Sequence, residues 1–374
     1  MPDYYPQEFD TIRPYTQDEL PAALDRLVGD ASFPKLASFV YPDTDVEAVK
    51  SRLLSMKTVD ELQKSFMYDA IHRIEELSVG KFAYCGTENI QSGKPSLFVS
   101  NHRDITLDAF LLQQVLHNMG LQTCHITFGA NLMSHPLVIE LGRINKMFKV
   151  ERGGSLRSFY SSMALVSAYM RYVITARHES VWIAQRNGRT KNGYDQTEPS
   201  LLKMFAHSGK GDLISNIEEL HIVPVSISYE WEPCDYLKAR ELSLTVDGVY
   251  HKSENEDLNS VITGIMQPKG DVHISICKPI DAEDLKQYKK DDGDFFKWLA
   301  ALIDGRIHQG YKNMPNNYIA YDIRAGKNAF ADKYDNAAKE KFLEHLSRYD
   351  DGKIRSLMID IYANSVSSSL NSRP

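Results

Sequence analysis

Seven short apolar runs between residues 81 and 277 constrain the fold of this chain more than any other feature. They are KFAYCG, SLFVS, TCHITF, FKVE, SVWIA, HIVPVSISY and VHISIC. Longer stretches with helical periodicity, such as 108–119 and 156–176, separate most of them. Strands that alternate with helices form a parallel or mixed sheet between helical layers. The sequence therefore predicts an α/β fold with a mixed, mostly parallel sheet covered by helices.

Both ends of the chain are predicted to be helical. In residues 58–78, TVDELQKSFMYDAIHRIEELS, apolar side chains recur at helical spacing, and NAAKEKFLEHLSRY near the C-terminus has the same character. A chain of 374 residues can hold one large domain with appendages, or two domains. We predict a helical N-terminal segment at 1–80, an α/β domain at 81–312 and a C-terminal helical segment at 313–374.

The charges are unevenly distributed. The 43 Lys and Arg residues against 50 Asp and Glu residues give a net charge of −7, which argues against a general nucleic-acid-binding protein. Two short stretches, 143–157 and 186–191, nevertheless contain eight cations and only one acid, Glu151. Such a concentration of cations predicts an anion site, although solvated surface stretches would have the same composition.

No segment is predicted to cross a membrane. The N-terminus, MPDYYPQEFD, lacks the basic and apolar regions of a signal peptide. No run reaches the roughly 18 apolar residues that a membrane span requires. The nearest, 159–175, is interrupted by Arg171 and predicts a buried helix or, alternatively, a helix lying on a membrane surface. The four cysteines have no C-x-x-C spacing, so we predict free thiols and no metal site.

The stretch SNHRDITLD, residues 100–108, carries the strongest indication of chemistry. His-Arg-Asp also occurs in the catalytic loop of protein kinases, where an Asn five residues after the Asp holds a metal. Here Ala109 occupies that position, no G-x-G-x-x-G loop precedes the stretch and no D-F-G follows it. The kinase interpretation therefore fails.

An acyl-transfer interpretation fits this stretch better. His102 follows the predicted strand SLFVS, and Asp108 lies in the first turn of the next predicted helix. A carboxylate that holds one imidazole nitrogen lets the other take a proton from a hydroxyl. Asp104 is the alternative partner, although a helix N-cap is the commoner role for such a residue. The alternative for His102 is a structural histidine at a strand end.

Three further strands lead into loops with the composition of a ligand site. MFKVERGGSLRSF places Arg152 and two glycines before a helix, where backbone N–H groups point at an anion. HIVPVSISY contains Pro224, which predicts a sheet edge or a bulge near a site. VWIAQRNGRTKNG runs into a cationic loop that contains Gly188, Arg189, Thr190 and Lys191.

In this order and spacing, the four stretches resemble the glycerolipid acyltransferase family, which includes the glycerol-3-phosphate and 1-acylglycerol-3-phosphate acyltransferases. The family blocks are N-H-x4-D, an ending of aromatic, aliphatic and Arg, then E-G-x-R-S, and a strand with V-P-V. In the same order they are matched by Asn101, His102 and Asp108; Phe148, Val150 and Arg152; Gly188, Arg189 and Thr190; and Val223, Pro224 and Val225. The resemblance extends over residues 80–280.

Two positions depart from the family pattern. Five residues, not four, separate His102 from Asp108. Asn187 stands where the family usually has Glu, so this position carries no charge, and the identity of the acceptor is left open.

The resemblance implies transfer of a fatty acyl group from an acyl carrier protein or coenzyme A thioester to a hydroxyl of glycerol 3-phosphate or a lysophosphatidic acid in membrane lipid synthesis. His102 would be the general base and Asp108 its orienting partner. The implied acceptor-binding residues are Arg152, Gly188, Arg189, Thr190, Lys191 and Pro224. No cofactor is implied beyond the thioester co-substrate, and neither a metal nor nucleic acid. The implied location is cytoplasmic, peripheral to the inner face of the membrane.

Two alternatives remain open from the sequence. In the first, the acceptor is another lyso-lipid, such as an N-acyl amino acid, and its carboxylate meets the arginines. In the second, the chain is a non-catalytic lipid-binding homologue, as Asn187 would allow. An intact pair of His102 and Asp108 argues against the second.

Overall fold

A seven-stranded sheet forms the centre of the computed structural model, which describes residues 4–133, 135–151, 156–253, 255–289 and 293–372. The strands are β1 (Val79–Cys85), β2 (Leu97–Ser100), β3 (His125–Gly129), β4 (Met147–Val150), β5 (Val181–Ala184), β6 (Ile222–Tyr229) and β7 (Gly270–Ile276). Their order is β1-β7-β6-β2-β5-β3-β4. Only β6 and β7 pair antiparallel among the described strands. The predicted strands correspond to these seven, and the mixed, mostly parallel α/β fold is confirmed.

Helices cover both faces of the sheet. They are α1 (Leu20–Gly29), α2 (Phe33–Val40), α3 (Val46–Ser55), α4 (Val59–Leu62), α5 (Tyr68–Ser78), α6 (Leu107–Asn118), α7 (Pro136–Ile144), α8 (Leu156–Thr175), α9 (Pro199–His207), α10 (Leu213–Glu218), α11 (Asp235–Leu244), α12 (Glu256–Met266), α13 (Ala282–Leu285), α14 (Phe295–Gln309), α15 (Pro315–Ala325), α16 (Asn336–Ser347) and α17 (Gly352–Asn371). Val99 packs with α8, α9 and α14 on one face, while Phe98 packs with α5 and α6 on the other. Because both faces of β2 are buried, its sequence is a continuous apolar run.

The two ends of the chain pack differently. Near the N-terminus, Tyr5 and Phe9 join the core on the α8 face, and Tyr5 stacks on Tyr169. Helices α1, α2 and α3 form a cluster of their own with α7. At the C-terminus, α15, α16 and α17 pack around Trp231, which follows β6. Both helical ends are therefore held against the central sheet.

Helix α8 contains the apolar stretch with two sequence interpretations. Val166, Tyr169, Met170 and Val173 are buried in the core, which agrees with a buried helix. Across the described ranges, no helix combines the length and the apolar character that a membrane span requires.

Pro224 lies in the interior of the sheet, so the expectation of an edge strand was wrong. β6 is paired on both sides, with Pro224 beside Val99 of β2. The ladder with β7 begins only at Val225, and the Pro224 carbonyl accepts the Cys277 N–H at 2.9 Å. In a strand, the N–H and C=O of one residue point to the same side. The missing N–H of Pro224 therefore faces the end of β7, where the ladder requires no donor.

Candidate active site

His102 and Asp108 are in contact at the carboxyl end of β2. Nδ1 of His102 lies 2.8 Å from Oδ2 of Asp108, which is in the first turn of α6. The imidazole also packs edge-on against Trp182 of β5, with ring centroids 5.6 Å apart. Because Nδ1 is bound to the carboxylate, Nε2 is the nitrogen that can exchange a proton with a substrate.

Both carboxylate oxygens of Asp108 are held by further donors. Oδ2 also accepts the backbone N–H groups of Arg103 at 2.6 Å and Asp104 at 2.9 Å. Oδ1 accepts the Tyr229 hydroxyl at 2.7 Å. Burial and the Asp108 carboxylate raise the pKa of Tyr229 well above its usual value, so the hydroxyl keeps its proton and donates. The fully buried carboxylate is thus fixed in position and can orient the imidazole.

The Asp104 side chain binds the backbone at the start of helix α6. Its Oδ1 accepts the backbone N–H groups of Thr106 and Leu107, both at 2.9 Å, at the start of α6. This is the capping position expected of an aspartate that precedes a helix. A Cβ on Gly264 of α12 would collide with Oδ2 of Asp104, so the backbone of α12 passes directly against this side chain.

A buried ion-pair network lies next to His102 and Asp108, which together are called the dyad. Arg103 is 4% exposed and donates to Asp195 at 2.7 and 3.0 Å and to Glu232 at 3.2 Å. Lys238 pairs with Glu232 at 2.6 Å and donates to the Arg103 carbonyl at 2.7 Å. The two cations and two anions balance, as buried charges require. The network fixes the backbone that follows His102.

Asp195 is the centre of this network. Although burial alone would raise its pKa, Arg103 and the hydroxyl groups of Thr190 and Tyr311 lower it, so Asp195 stays ionised. The Asn101 amide donates to Asp195 at 3.2 Å and also bonds the backbone of Ile227 in β6. Asn101 thereby extends the pairing between β2 and β6 beyond the last strand residue.

The C-terminal helices reach the same network. Tyr362 of α17 accepts the backbone N–H of Glu232 at 3.1 Å and donates to Asp235 at 2.7 Å. His345 of α16 lies 2.7 Å from the same Asp235 carboxylate. The loop that carries Glu232 is therefore held in place by residues more than 100 positions later in the chain.

The loop after β5 carries four of the predicted residues, Gly188, Arg189, Thr190 and Lys191, and Thr190 contacts His102. Gly188 has φ 75°, a left-handed conformation that strains any residue with a Cβ. The N–H of Thr190 donates to the His102 carbonyl at 2.9 Å, and its hydroxyl donates to Asp195. Thr190 thus positions the loop and does not face a ligand. Asn187 is exposed.

Arg189 and Lys191 point to a cavity of about 260 Å³. Arg189 is 8% exposed, and its Nη1 has no hydrogen-bond partner in the described chain. Lys191 pairs with Glu241, and burial, with Arg189 and Lys238 nearby, lowers its pKa to about 8. The charged lining residues are Arg189, Lys191, Lys238, Arg240, Glu241 and Glu256. Because Glu232 already balances Lys238, three cations remain against two carboxylates, which suits an anionic ligand.

The eight cations noted in the sequence do not all join this cavity. Lys146 pairs with Glu179 at 3.1 Å, and Lys149 pairs with Glu151 at 2.7 Å. Arg143 lies over the Tyr15 ring. The expectation that both stretches gather at one anion site is therefore wrong for these three. Arg152, with the two glycines after it, lies outside the described residues.

Pro224 and the cysteines do not line the cationic cavity. Pro224 is buried within the sheet. Cys124 and Cys234 are buried, and Cys85 is exposed, so the thiols differ in accessibility. Within the described ranges, no group of His, Cys, Asp and Glu side chains is arranged to hold a metal ion.

Comparison with known proteins finds one matching family model and one similar solved structure. Residues 81–228 match a family model described as Acyltransferase, a range that includes all four sequence blocks. Among solved structures, the fold is similar to the 1-acyl-sn-glycerophosphate (LPA) acyltransferase PlsC from Thermotoga maritima. That match has 13% identity and a TM-score of 0.41, and it covers 77% of this chain and 94% of that chain. No curated protein matches the chain.

Proposed function

Because residues 81–228 match a family model described as Acyltransferase, we propose that the chain transfers a fatty acyl group from an acyl carrier protein or coenzyme A thioester to a hydroxyl of an anionic glycerolipid precursor. The candidate acceptors are glycerol 3-phosphate and a lysophosphatidic acid. The observation that carries the proposal is the contact of 2.8 Å between His102 and a fully buried, fully hydrogen-bonded Asp108.

The proposed reaction begins with proton transfer from the acceptor hydroxyl to Nε2 of His102. The hydroxyl oxygen then attacks the thioester carbonyl carbon and forms a tetrahedral intermediate. When the intermediate collapses, the C–S bond breaks, an ester is formed, and the thiolate takes the proton from the imidazolium. Asp108 stabilises the imidazolium throughout, and a general base of this kind contributes about 10²–10⁴-fold to the rate. The reaction requires no cofactor beyond the thioester.

The anionic group of the acceptor is proposed to bind Arg189 and Lys191. Arg189 lines the cavity, its Nη1 has no hydrogen-bond partner in the described chain, and a guanidinium fork matches phosphate or carboxylate oxygens. Arg152 is a further candidate from its family position. Gly188 and Thr190 support this loop, while Pro224 supports the sheet behind it.

A second candidate acceptor is an N-acyl amino acid lyso-lipid with a carboxylate head. Exposed Asn187 in place of the family Glu is the observation that keeps it open. A cytoplasmic location at the inner face of the membrane is proposed for either acceptor, because the acylated product of each is a membrane lipid.

An acceptor panel tests the proposal. Purified protein should be incubated with acyl carrier protein and coenzyme A thioesters and with glycerol 3-phosphate, lysophosphatidate, an N-acyl amino acid and uncharged monoacylglycerol, with products identified by mass spectrometry. An anionic acceptor should give an ester and stoichiometric free thiol. Arg189→Ala should lower kcat/KM for this acceptor by ~10–150-fold, as loss of a charge-assisted contact predicts. Arg157→Ala, at an exposed cation, is the control. Absence of any ester product would overturn the proposal.

A further inference from the structure

Strand β6 presents a row of buried side chains to the core that contains helix α6. Val223, Val225, Ile227 and Tyr229 alternate along the strand and all belong to this core. The first three are aliphatic. A phenylalanine would continue the row equally well at the fourth position, because Tyr229 is 4% exposed and its ring lies among apolar side chains. The hydroxyl group of Tyr229 therefore requires an explanation other than packing.

The Tyr229 hydroxyl has its partner in the first turn of α6. It donates to Oδ1 of Asp108 at 2.7 Å. Oδ2 of the same carboxylate is bound three times, by the imidazole of His102 and by the backbone N–H groups of Arg103 and Asp104. In the described part of the chain, Tyr229 is thus the one donor to Oδ1.

Two properties of the Asp108 carboxylate depend on this bond. Because both oxygens are held, the plane of the carboxylate is fixed and Oδ2 stays on Nδ1 of His102. The hydroxyl also stabilises part of the negative charge of a side chain that is fully buried and has no water to do so. Without this donor the carboxylate would attract the imidazolium more strongly, since a nearby opposite charge favours the protonated form of histidine.

Other charged groups lie around the dyad but do not replace the hydroxyl. Within the described ranges, none of their side chains donates a hydrogen bond to Asp108. These groups are Arg103 and Asp104 before α6, Asp195 after β5, Glu232 after β6, Lys238 on α11 and Lys269 before β7.

Resting on the proposed function, we propose that Tyr229 is a positioning residue for acyl transfer. Its hydroxyl fixes the plane of the Asp108 carboxylate and, by stabilising the charge of that carboxylate, sets how readily His102 takes a proton. Tyr229 acts on the reaction through Asp108 alone and not on the substrate.

Tyr229→Phe is the first test, because it keeps the ring and the pairing with Val272 of β7 and removes only the hydroxyl. We expect kcat to fall by roughly 10–100-fold, as for other partners that orient a histidine. The acidic limb of the plot of kcat/KM against pH should move to higher pH, because the carboxylate then holds the imidazolium more tightly. A residue that only fills the core would lower activity without moving this limb.

Tyr169→Phe is the matched control. Tyr169 is also fully buried, and its hydroxyl lies 2.9 Å from Nδ1 of His125 in the core on the α8 face of the sheet. This variant also loses one buried hydrogen bond, but it should keep the wild-type kcat and the wild-type pH profile.

A double-mutant cycle tests whether Tyr229 acts through Asp108. In Asp108→Asn the carboxylate is already lost, so the addition of Tyr229→Phe should lower kcat by no more than about twofold. If the two single losses multiply in the double variant, Tyr229 acts independently of Asp108 and the inference is overturned.

A titration tests the same contact without turnover. The NMR resonance of His102, identified by its absence in His102→Ala, should titrate at higher pH in Tyr229→Phe than in the wild type. Incorporation of 3-fluorotyrosine at position 229 keeps the ring and makes the hydroxyl a stronger donor, so this midpoint should move to lower pH. That substitution retains the hydrogen bond and also tests the inference if Tyr229→Phe does not fold.

An active enzyme in which neither change moves the His102 midpoint would overturn the inference and leave the proposed function intact. Failure of the wild type with every acceptor would instead overturn the proposed function itself.

Discussion

His102 has one imidazole nitrogen bound to Asp108, and this contact determines what its removal should do. His102→Ala deletes the proposed general base, so the acyl-transfer rate should fall by ~10²–10⁴-fold. The far-UV circular dichroism spectrum should stay that of the wild type, because the buried network beside the dyad is centred on Arg103 and Asp195. A folded variant with the wild-type rate would contradict the assignment.

The two nearby aspartates should respond differently to the same change. Asp108 accepts hydrogen bonds on both oxygens. In Asp108→Asn, an NH₂ group replaces one acceptor and the negative charge is lost, so kcat should fall by roughly 10²-fold or more. Asp104→Asn keeps an oxygen for the two backbone N–H groups at the start of α6 and should retain most activity. Steady-state kinetics showing the reverse order would move the dyad to Asp104.

Lys191 should make acceptor binding depend on pH. Its pKa is lowered to about 8, so the ammonium is present below pH 8 and is lost as pH rises through that value. An anionic acceptor binds the protonated form better, and its KM should therefore increase above pH 8. Lys191→Arg, charged at all these pH values, should remove that increase. KM measured between pH 6.5 and 9.5 checks this, and equal pH profiles for both proteins would count against Lys191.

Proximity in the chain explains which site residues were predictable. His102 and Asp108 are six positions apart, so strand end and helix start bring them together by local geometry. Tyr229 is 121 positions from Asp108, and Asp195 and Glu232 are 92 and 129 positions from Arg103. No local sequence pattern relates residues that are so far apart in the chain. The position of Arg103 next to His102 therefore does not indicate that its ion-pair partners are Asp195 and Glu232.

At the scale of elements, the left-handed Gly188 fixes the loop between β5 and the cavity. Gly188→Ala forces φ 75° on a residue with a Cβ and should cost about 1–2 kcal/mol of stability. It should also raise the acceptor KM, because Arg189 and Thr190 follow directly. Urea denaturation and acceptor kinetics measure the two effects.

Gly93 offers a matched control for this change. Its φ is 77°, and a Cβ there would meet no atom within 4 Å. Gly93→Ala should therefore show a similar loss of stability with an unchanged KM. If both variants change KM alike, the strain acts through the whole fold and not through the loop.

The apolar pattern of the sequence predicted where the strands lie along the chain better than it predicted which strands pair with each other. Strands β2 and β5 are buried at every residue, and such burial on both faces leaves a continuous apolar run in the sequence, whereas β1 at the edge of the sheet has no buried residue. The order of the strands in the sheet leaves no such pattern, which is why Pro224 was expected at an edge or a bulge and lies on an interior strand. The apolar character of α8 is explained by the core contacts of Val166 and Met170. The exposed apolar side chains are instead on α12, where they are Leu258, Ile262 and Met266.

At the scale of the whole molecule, a group of exposed apolar side chains within residues 244–266 should give reversible membrane association. They are Leu244, Val246, Val249, Leu258, Ile262 and Met266. Flotation with phosphatidylcholine vesicles should recover only part of the protein, and recovery should fall for Val246→Asp. Anionic vesicles should bind less, since the net charge is −7, and added salt should reduce that difference. Protein that remains bound until detergent is added would contradict a peripheral mode.

The bonds from Tyr362 and His345 to the loop after β6 have a consequence for biosynthesis. The ribosome makes the dyad before it makes α16 and α17. A nascent chain that already contains all four sequence blocks still lacks the groups that hold Glu232 and Asp235, and hence the full support of Arg103. Products that terminate before α16 therefore retain every motif but lack the two side chains that hold the loop after β6.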